Sequence, residues 1–145
     1  MKRDWELMGR IFTAIENDNL HELIEQENEP TGEEQEDDFA KSGQLTRYIL
    51  LVRHLEMLID AGYIKGVDIR TSVDGFVSFG LNNPRITLQG YDYADIVKDR
   101  TLLHQTINAI GKAGMMVSWE TLKQFAPVLI KKAAMKYANK IMKEE

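Results

Sequence analysis

The chain has 145 residues, 43% of them hydrophobic and none of them cysteine, which predicts one domain with a real core and excludes disulfides and thiolate chemistry. No apolar run approaches the roughly 20 residues that span a bilayer, so a cytoplasmic protein without membrane contact is expected. The net charge of -5 is unevenly spread: 11 acids and no Lys or Arg lie between Glu16 and Asp38, which leaves 12 acids and 18 bases, a balance of +6, elsewhere.

The N-terminal part predicts one helix, a helical turn and an acidic loop. Asp4 can cap a helix that continues to about Glu16, with the core face Trp5, Met8, Phe12 and Ile15. Leu20, Leu23 and Ile24 predict a short helical turn. Residues 29–38 have almost nothing to bury and lack the carboxylate spacing of a calcium loop, so a solvated acidic loop is expected there.

The segment Gln44 to Gly66 predicts a long amphipathic helix that runs into a β-branched strand. After a short extended segment at 39–43, the predicted buried stripe of this helix is Leu45, Ile49, Val52, Leu55, Leu58 and Ile59. Gly62 can end the helix in the left-handed conformation. Strands at 63–69 and 76–79, joined by a TSVDG turn, then form a hairpin. A long helix followed by a hairpin is typical of the recognition helix and wing of a winged helix-turn-helix domain.

The C-terminal third predicts three further helices. Thr87 caps the first of them, a light break follows at Asp99 or Arg100, and GKAG ends the second helix. Ser118 caps the last helix, in which Pro127 predicts a kink or break near Phe125 to Ala126. The predicted fold is therefore α+β: a winged helix-turn-helix-like domain over 1–99, which contains the acidic loop, with a C-terminal helical extension over 100–145 packed on it.

The last helix is both amphipathic and basic. Six lysines lie between Thr121 and Lys143 with no acid among them, and the apolar positions repeat helically: Leu122, Phe125, Leu129, Ile130, Ala133, Tyr137 and Ile141. Such a helix suits anionic lipid, nucleic acid or the acidic loop of a neighbouring molecule. A plain lysine-covered outer face explains the same pattern.

Three phrases of the chain, in their order, resemble a family of small bacterial and phage proteins known as domain of unknown function 2513: MKRDWELMGRIFTAIE, VRHLEMLIDAGYIKGVDI and RITLQGYDYADIVKDRTLLHQTINAIGKAGMMVSWETLKQFA. The resemblance leaves out Asn17 to Gly43 and the lysine-rich end. It implies a winged-helix fold with the second helix reduced or missing and a phage or prophage origin. It brings no established activity, ligand or catalytic residue.

Catalytic motifs are not found in the sequence, and no enzyme activity, cofactor or metal is expected. His21, His54 and His104 are scattered, and the phosphate-binding loop and the zinc-protease motif are missing. Asp92, Asp95 and Asp99 recur on one helix face, where solvated carboxylates explain them better than an acid cluster does.

Two functions remain open. Weak duplex DNA binding in a regulatory role is predicted through Arg47, Arg53, His54 and Arg70, although the wing also carries Asp74. The alternative is a module for protein interaction or homodimer formation, in which Leu50, Leu51 and Met57 on the side of the long helix away from the core meet a partner.

Overall fold

The computed structural model describes residues 3–28, 38–73 and 77–144. The chain divides into two compact units, Met1–Tyr91 and Asp92–Glu145. In chain order the elements are α1 (Trp5–Glu16), α2 (Leu20–Asn28), α3 (Asp38–Asp60), β1 (Ile64–Thr71), β2 (Val77–Ile86), α4 (Leu88–Val97), α5 (Arg100–Lys112) and α6 (Trp119–Glu144). Six helices and one two-stranded antiparallel sheet in the described parts of the chain confirm the α+β class.

The first helix follows its sequence signals. Asp4 caps α1, with its Oδ1 accepting the N–H of Leu7 at 3.0 Å. The predicted core side chains of α1 are buried, except that Trp5 is only half-buried. The Leu20 group forms a full nine-residue helix, α2, instead of a short turn, and α2 packs on both α1 and α3. The predicted acidic loop lies outside the described residues except for Asp38, which begins α3.

The long helix α3 differs from its prediction at its start and in its buried face. It begins at Asp38, so residues 39–43 are helical instead of extended. Its buried stripe is centred on Leu51, Leu55 and Leu58, while Ile49 is exposed. The expectation that Leu51 and His54 lie on the exposed side is wrong, because both side chains are 0% exposed. The run ILLVRHLEMLI carries apolar residues all round the helix, so helical spacing alone is compatible with more than one buried face.

The end of α3 turns into the hairpin through Gly62. This glycine has φ 78, and its N–H donates to the carbonyl oxygen of Ile59. The N–H of Tyr63 donates to the carbonyl oxygen of Leu58 at 2.9 Å, and the two bonds together form a Schellman motif. β1 and β2 then pair antiparallel, as predicted, but β2 extends to Ile86, well beyond the expected end at Phe79. Tyr48 of α3 meets Phe79 edge-on at 6.3 Å between ring centroids, and burial raises the pKa of the Tyr48 phenol.

An irregularity in the hairpin is built around Gly66. The pairing changes register between Lys65↔Arg85 and Val67↔Leu81, so β2 has two extra residues there. Gly66 has φ 83, and a Cβ at this position would lie 2.5 Å from the carbonyl oxygens of Asn82 and Asn83. This part of the hairpin therefore requires glycine on two independent grounds.

The first and last C-terminal helices begin at their predicted caps, and the helix between them begins at the break predicted at Asp99 or Arg100. Thr87 Oγ1 accepts the N–H of Gly90 at 3.0 Å, Asp99 Oδ1 accepts that of Leu102 at 3.0 Å, and Ser118 Oγ accepts that of Thr121 at 3.2 Å. The break expected near Pro127 does not occur, since α6 continues through the proline. Leu122 and Ala126 are fully buried in the preceding turn, and this packing offsets the loss of one backbone hydrogen bond. The predicted packing of a 100–145 extension on a 1–99 domain stays a prediction.

Candidate interaction surfaces

His54, predicted to assist nucleic-acid binding, is a buried link between α3 and the start of α1. Its Nε2 accepts the backbone N–H of Asp4 at 2.9 Å, and its Nδ1 lies 2.7 Å from the carbonyl oxygen of Leu50. Because Nε2 accepts, the ring proton is assigned to Nδ1, which donates to Leu50. Both nitrogens are used inside one chain, so His54 serves as a structural residue and does not form part of an exposed surface.

Arg47 is held against α2 by an acid. Its Nε lies 3.6 Å from Glu27 Oε2, and Arg10 donates to the other oxygen of the same carboxylate at 2.8 Å. The Glu27 side chain is 12% exposed, whereas the two arginine side chains are 41% and 53% exposed. The pair of arginines therefore neutralises a partly buried carboxylate, which reduces what Arg47 can offer to a phosphate.

The solvent side of α3 has mixed chemistry. Arg53 is exposed as predicted, but Glu56 and Asp60 are exposed too, and Ile49 lies beside them. Leu50 and Met57 are half-buried, and the Leu51 side chain is inside the core. This side of α3 therefore offers a polyanion more acids than bases, and it offers a partner a smaller apolar area than the sequence indicated.

The outer face of the hairpin is more basic than that of α3. Lys65 and Arg85 are direct partners across the two strands, and both are exposed. Like charges at opposed positions destabilise a strand pair, so an anion placed between them is favoured. Arg70 also points outward, but its Nε bonds to Asp68 Oδ2 at 2.9 Å. Lys65 and Arg85 were not among the predicted site residues, because only the register shows that they are opposed.

A pocket of about 170 Å³ lies beside the hairpin irregularity. Its lining combines apolar and polar residues: Ile15, Leu20, Leu81, Pro84, Asp18, His21 and Asn83. Asp18 and Asn83 both have left-handed backbone conformations, with φ 56 and 52. The His21 side chain is 58% exposed and lies 4.0 Å from Glu22. Asp18, His21 and Asn83 are all exposed to solvent, so nothing in the pocket selects a particular ligand.

The first two turns of α6 are firmly packed. Leu122 and Ala126 are 0% exposed, and α6 lies against α5. The Trp119 ring meets the Tyr93 ring at 4.5 Å between centroids, and the Lys123 ammonium lies 5.8 Å from the centre of the Tyr93 ring. This end of α6 is therefore part of the core of the second unit.

The remainder of α6 has no such cover. Every residue from 128 to 143 is exposed except the half-buried Leu129. Ile130, Tyr137 and Ile141 are 51%, 68% and 44% exposed, yet together with Ala133 they continue the helical stripe that Leu122 and Ala126 begin. We call residues 130, 133, 137 and 141 the open stripe. Val128, Met135 and Met142, also exposed, recur every seven residues about half a turn away from it.

Basic side chains border the open stripe on one side. Lys132, Lys136, Lys140 and Lys143 follow each other at spacings of four, four and three residues, which places them in one row along the helix. On the other border lie Ala134 and Ala138. The sequence predicted an amphipathic, basic helix, but only the structure shows that its apolar stripe loses its cover after Ala126.

Other candidates for chemistry have structural roles. Asp95 pairs with Lys98 at 3.6 Å, and Asp99 caps α5. In residues 3–28, 38–73 and 77–144 no group of three or more histidine, aspartate and glutamate side chains is placed to hold a metal ion. In the same ranges no helix is long and apolar enough to cross a membrane.

Comparison with known proteins identifies the family. A family model described as YjcQ protein matches residues 19–113, from α2 to the end of α5 and more than half of the chain. No curated protein and no solved structure matches the chain. The resemblance to domain of unknown function 2513 was wrong, and the reduced second helix that it implied is not found, since α2 is a nine-residue helix. The chain belongs to the YjcQ protein family.

Proposed function

We propose that this protein is a non-catalytic interaction module that binds a protein partner through the open stripe of α6. The observation that carries the proposal is the change from buried to exposed side chains along one helical stripe. Leu122 and Ala126 are fully buried, whereas Ile130, Tyr137 and Ile141, which continue the same stripe, are exposed. A continuous row of large apolar side chains on one helix is typical of a protein contact surface.

The stability of a helix supports the same proposal. Helices shorter than about 12 to 15 residues are marginal in water when nothing packs on them, and the part of α6 from 128 to 143 is only slightly longer than this. Most helical stability in proteins comes from packing of the apolar face. A partner that covers the open stripe supplies the packing that the first two turns obtain from α5.

Affinity purification from the cells that naturally express the protein tests the proposal. Wild type is compared with Tyr137→Glu/Ile141→Glu, which places two carboxylates in the stripe, and with Val128→Glu/Met135→Glu as a matched control on the other side of the helix. We expect a protein retained by wild type and by the control, and lost with the stripe variant, because unpaired charges are costly to bury. Identical protein sets from all three would contradict the proposal.

Duplex DNA binding is the second candidate, and the hairpin favours it. In this reading the first unit is winged-helix-like, which is supported by the order of three helices followed by a hairpin. Lys65 and Arg85 on the outer face, with Arg70 further along, supply the basic contacts, and Arg53 of α3 adds a fourth. Since few phosphates are neutralised, binding is weak and its salt dependence is shallow.

An anisotropy titration with duplex DNA at low salt tests this candidate. Lys65→Ala/Arg85→Ala is expected to weaken binding and to reduce the salt slope by about two. Lys112→Ala/Lys131→Ala, which removes the same charge from other exposed positions, serves as the control. Equal loss with both variants would show that net charge alone is responsible and would reject a hairpin site.

A further inference from the structure

We propose that the partner element that docks on the open stripe is an amphipathic helix with acidic residues along one flank. This inference rests on the proposed function and adds the chemistry and the orientation of the partner. Its basis is the lysine row of α6 at positions 132, 136, 140 and 143, which runs beside the open stripe with no acid between Thr121 and Lys143.

The lysine row sets the charge of the partner. The long lysine side chains reach past the border of an apolar stripe, as residues at the flanking positions of a coiled coil do. A partner helix lying on Ile130, Tyr137 and Ile141 therefore brings one of its flanks close to the row, nearest to Lys136 and Lys140. Carboxylates on that flank form ion pairs, whereas bases there are repelled.

The two borders of the stripe are different, and this fixes the orientation. Opposite the lysine row the border carries Ala134 and Ala138, which have no charge and little bulk. Small side chains allow a second helix to approach closely on that side. A partner with acids on one flank and apolar or small residues on the other therefore fits in a single orientation.

The same charges make a second copy of α6 a poor occupant. Six lysines lie between residues 121 and 143 of every copy, and no acid in that range is available to pair with them. An antiparallel pair brings the two lysine rows together, and a parallel pair places each row against alanines. Repulsion between like charges therefore opposes the antiparallel pair, and the parallel pair leaves the lysines without the carboxylates that an acidic flank supplies.

Designed helical peptides are the probes for this inference. Three 21-residue peptides share leucines at the a and d positions of a heptad repeat and carry glutamate, glutamine or lysine at the flanking positions. Fluorescence anisotropy of the labelled peptides with the full-length protein at low salt measures affinity. We expect the glutamate peptide to bind at least about tenfold more tightly than the glutamine peptide, and the lysine peptide not to bind.

Charge reversal in the protein sharpens the test. Lys136→Glu/Lys140→Glu is expected to weaken the glutamate peptide by about tenfold or more and to create binding of the lysine peptide. Lys112→Glu/Lys131→Glu makes the same change of net charge away from the row and should leave the order of the three peptides unchanged. Circular dichroism checks that all variants keep their helix content, which exposed substitutions should preserve.

Several outcomes would overturn the inference without touching the proposed function. These are equal binding of the glutamate and glutamine peptides, no binding of any peptide, or a dimeric mass in light scattering that Tyr137→Glu/Ile141→Glu reduces to 16.7 kDa. Stripe-dependent binding to vesicles containing phosphatidylserine, with no binding of the glutamate peptide, would assign the surface to lipid and would overturn the proposed function as well. Failure of the proposed function itself shows separately, as identical protein sets in the affinity purification.

Discussion

Replacement of His54 by leucine should destabilise the first unit, because it removes a hydrogen-bond acceptor and keeps the side-chain bulk. The imidazole is fully buried, and its Nε2 accepts the N–H of Asp4 at 2.9 Å. Loss of the imidazole affects the carbonyl oxygen of Leu50 less, because this oxygen is also positioned to accept the backbone N–H of the residue four positions later in the helix. An unsatisfied buried N–H costs about 1–3 kcal/mol, and the exposure of Asp4 to water favours the lower half of that range.

Urea unfolding monitored by circular dichroism measures the effect. His54→Leu is expected to lower the free energy of unfolding by about 1–2 kcal/mol, and His54→Gln, which can place an oxygen near the Nε2 position, to recover part of the loss. His21→Ala removes an exposed histidine and should change the free energy of unfolding by less than about 0.5 kcal/mol. If His54→Leu is as stable as wild type, the link between α1 and α3 makes no net contribution and the reasoning is wrong.

Three further predictions use the same unfolding assay. Gly66→Ala should lower the free energy of unfolding more than Gly62→Ala does. Both glycines have positive φ, and the backbone strain of an alanine there is about 1–2 kcal/mol. At Gly66 the added Cβ also meets two carbonyl oxygens, whereas at Gly62 it meets nothing within 4 Å. Equal losses of stability in the two variants would mean that the backbone at the hairpin irregularity shifts at little cost. Thr87→Val should cost about 1–2 kcal/mol, since Thr87 Oγ1 both caps α4 and donates to Gly62 O at 2.6 Å, and a neutral result would contradict that double role. Leu122→Ala should lower the free energy of unfolding by about 2–5 kcal/mol, and Ile141→Ala should lower it by less than about 0.5 kcal/mol. Similar losses for the two variants would show that the stripe is covered within the chain.

The capped ends of the helices were predictable because they depend on local chemistry. Asp4, Thr87 and Ser118 cap helices where their side chains predict, and Gly62 ends α3 in the left-handed conformation. The break predicted at Asp99 or Arg100 is also found, with Asp99 as the cap of α5. These signals act within a few residues, so no knowledge of the tertiary fold is needed to use them. The hairpin was predictable for the same reason, from β-branched runs that flank a turn.

The buried face of α3 was not predictable, because its apolar residues surround the helix. Which of them enter the core depends on where α1, α2 and β1 pack, and these are contacts over long distances in sequence. The buried His54 illustrates the point, since its hydrogen-bond partner Asp4 lies 50 residues earlier in the chain. A polar residue with a distant partner resembles a surface residue in the sequence.

The composition of the contact surface on α6 was predictable, but which of its residues are buried was not. The helical repeat and the lysines can be read from the sequence, but a stripe that is buried at Leu122 and exposed at Tyr137 has the same pattern throughout. The length of the helix that packs on it decides where cover ends. α5 has 13 residues and α6 has 26, so α5 cannot cover α6 along its whole length.

Hydrogen–deuterium exchange of α6 in the isolated full-length protein tests the central claim most directly. With the open stripe uncovered, amides from 128 to 143 should exchange through local opening, orders of magnitude faster than those around Leu122 and Ala126. The glutamate peptide should then slow exchange in the distal segment alone. Protection that is equal along the whole of α6 in the free monomer would mean that the stripe is already covered, and it would contradict the account.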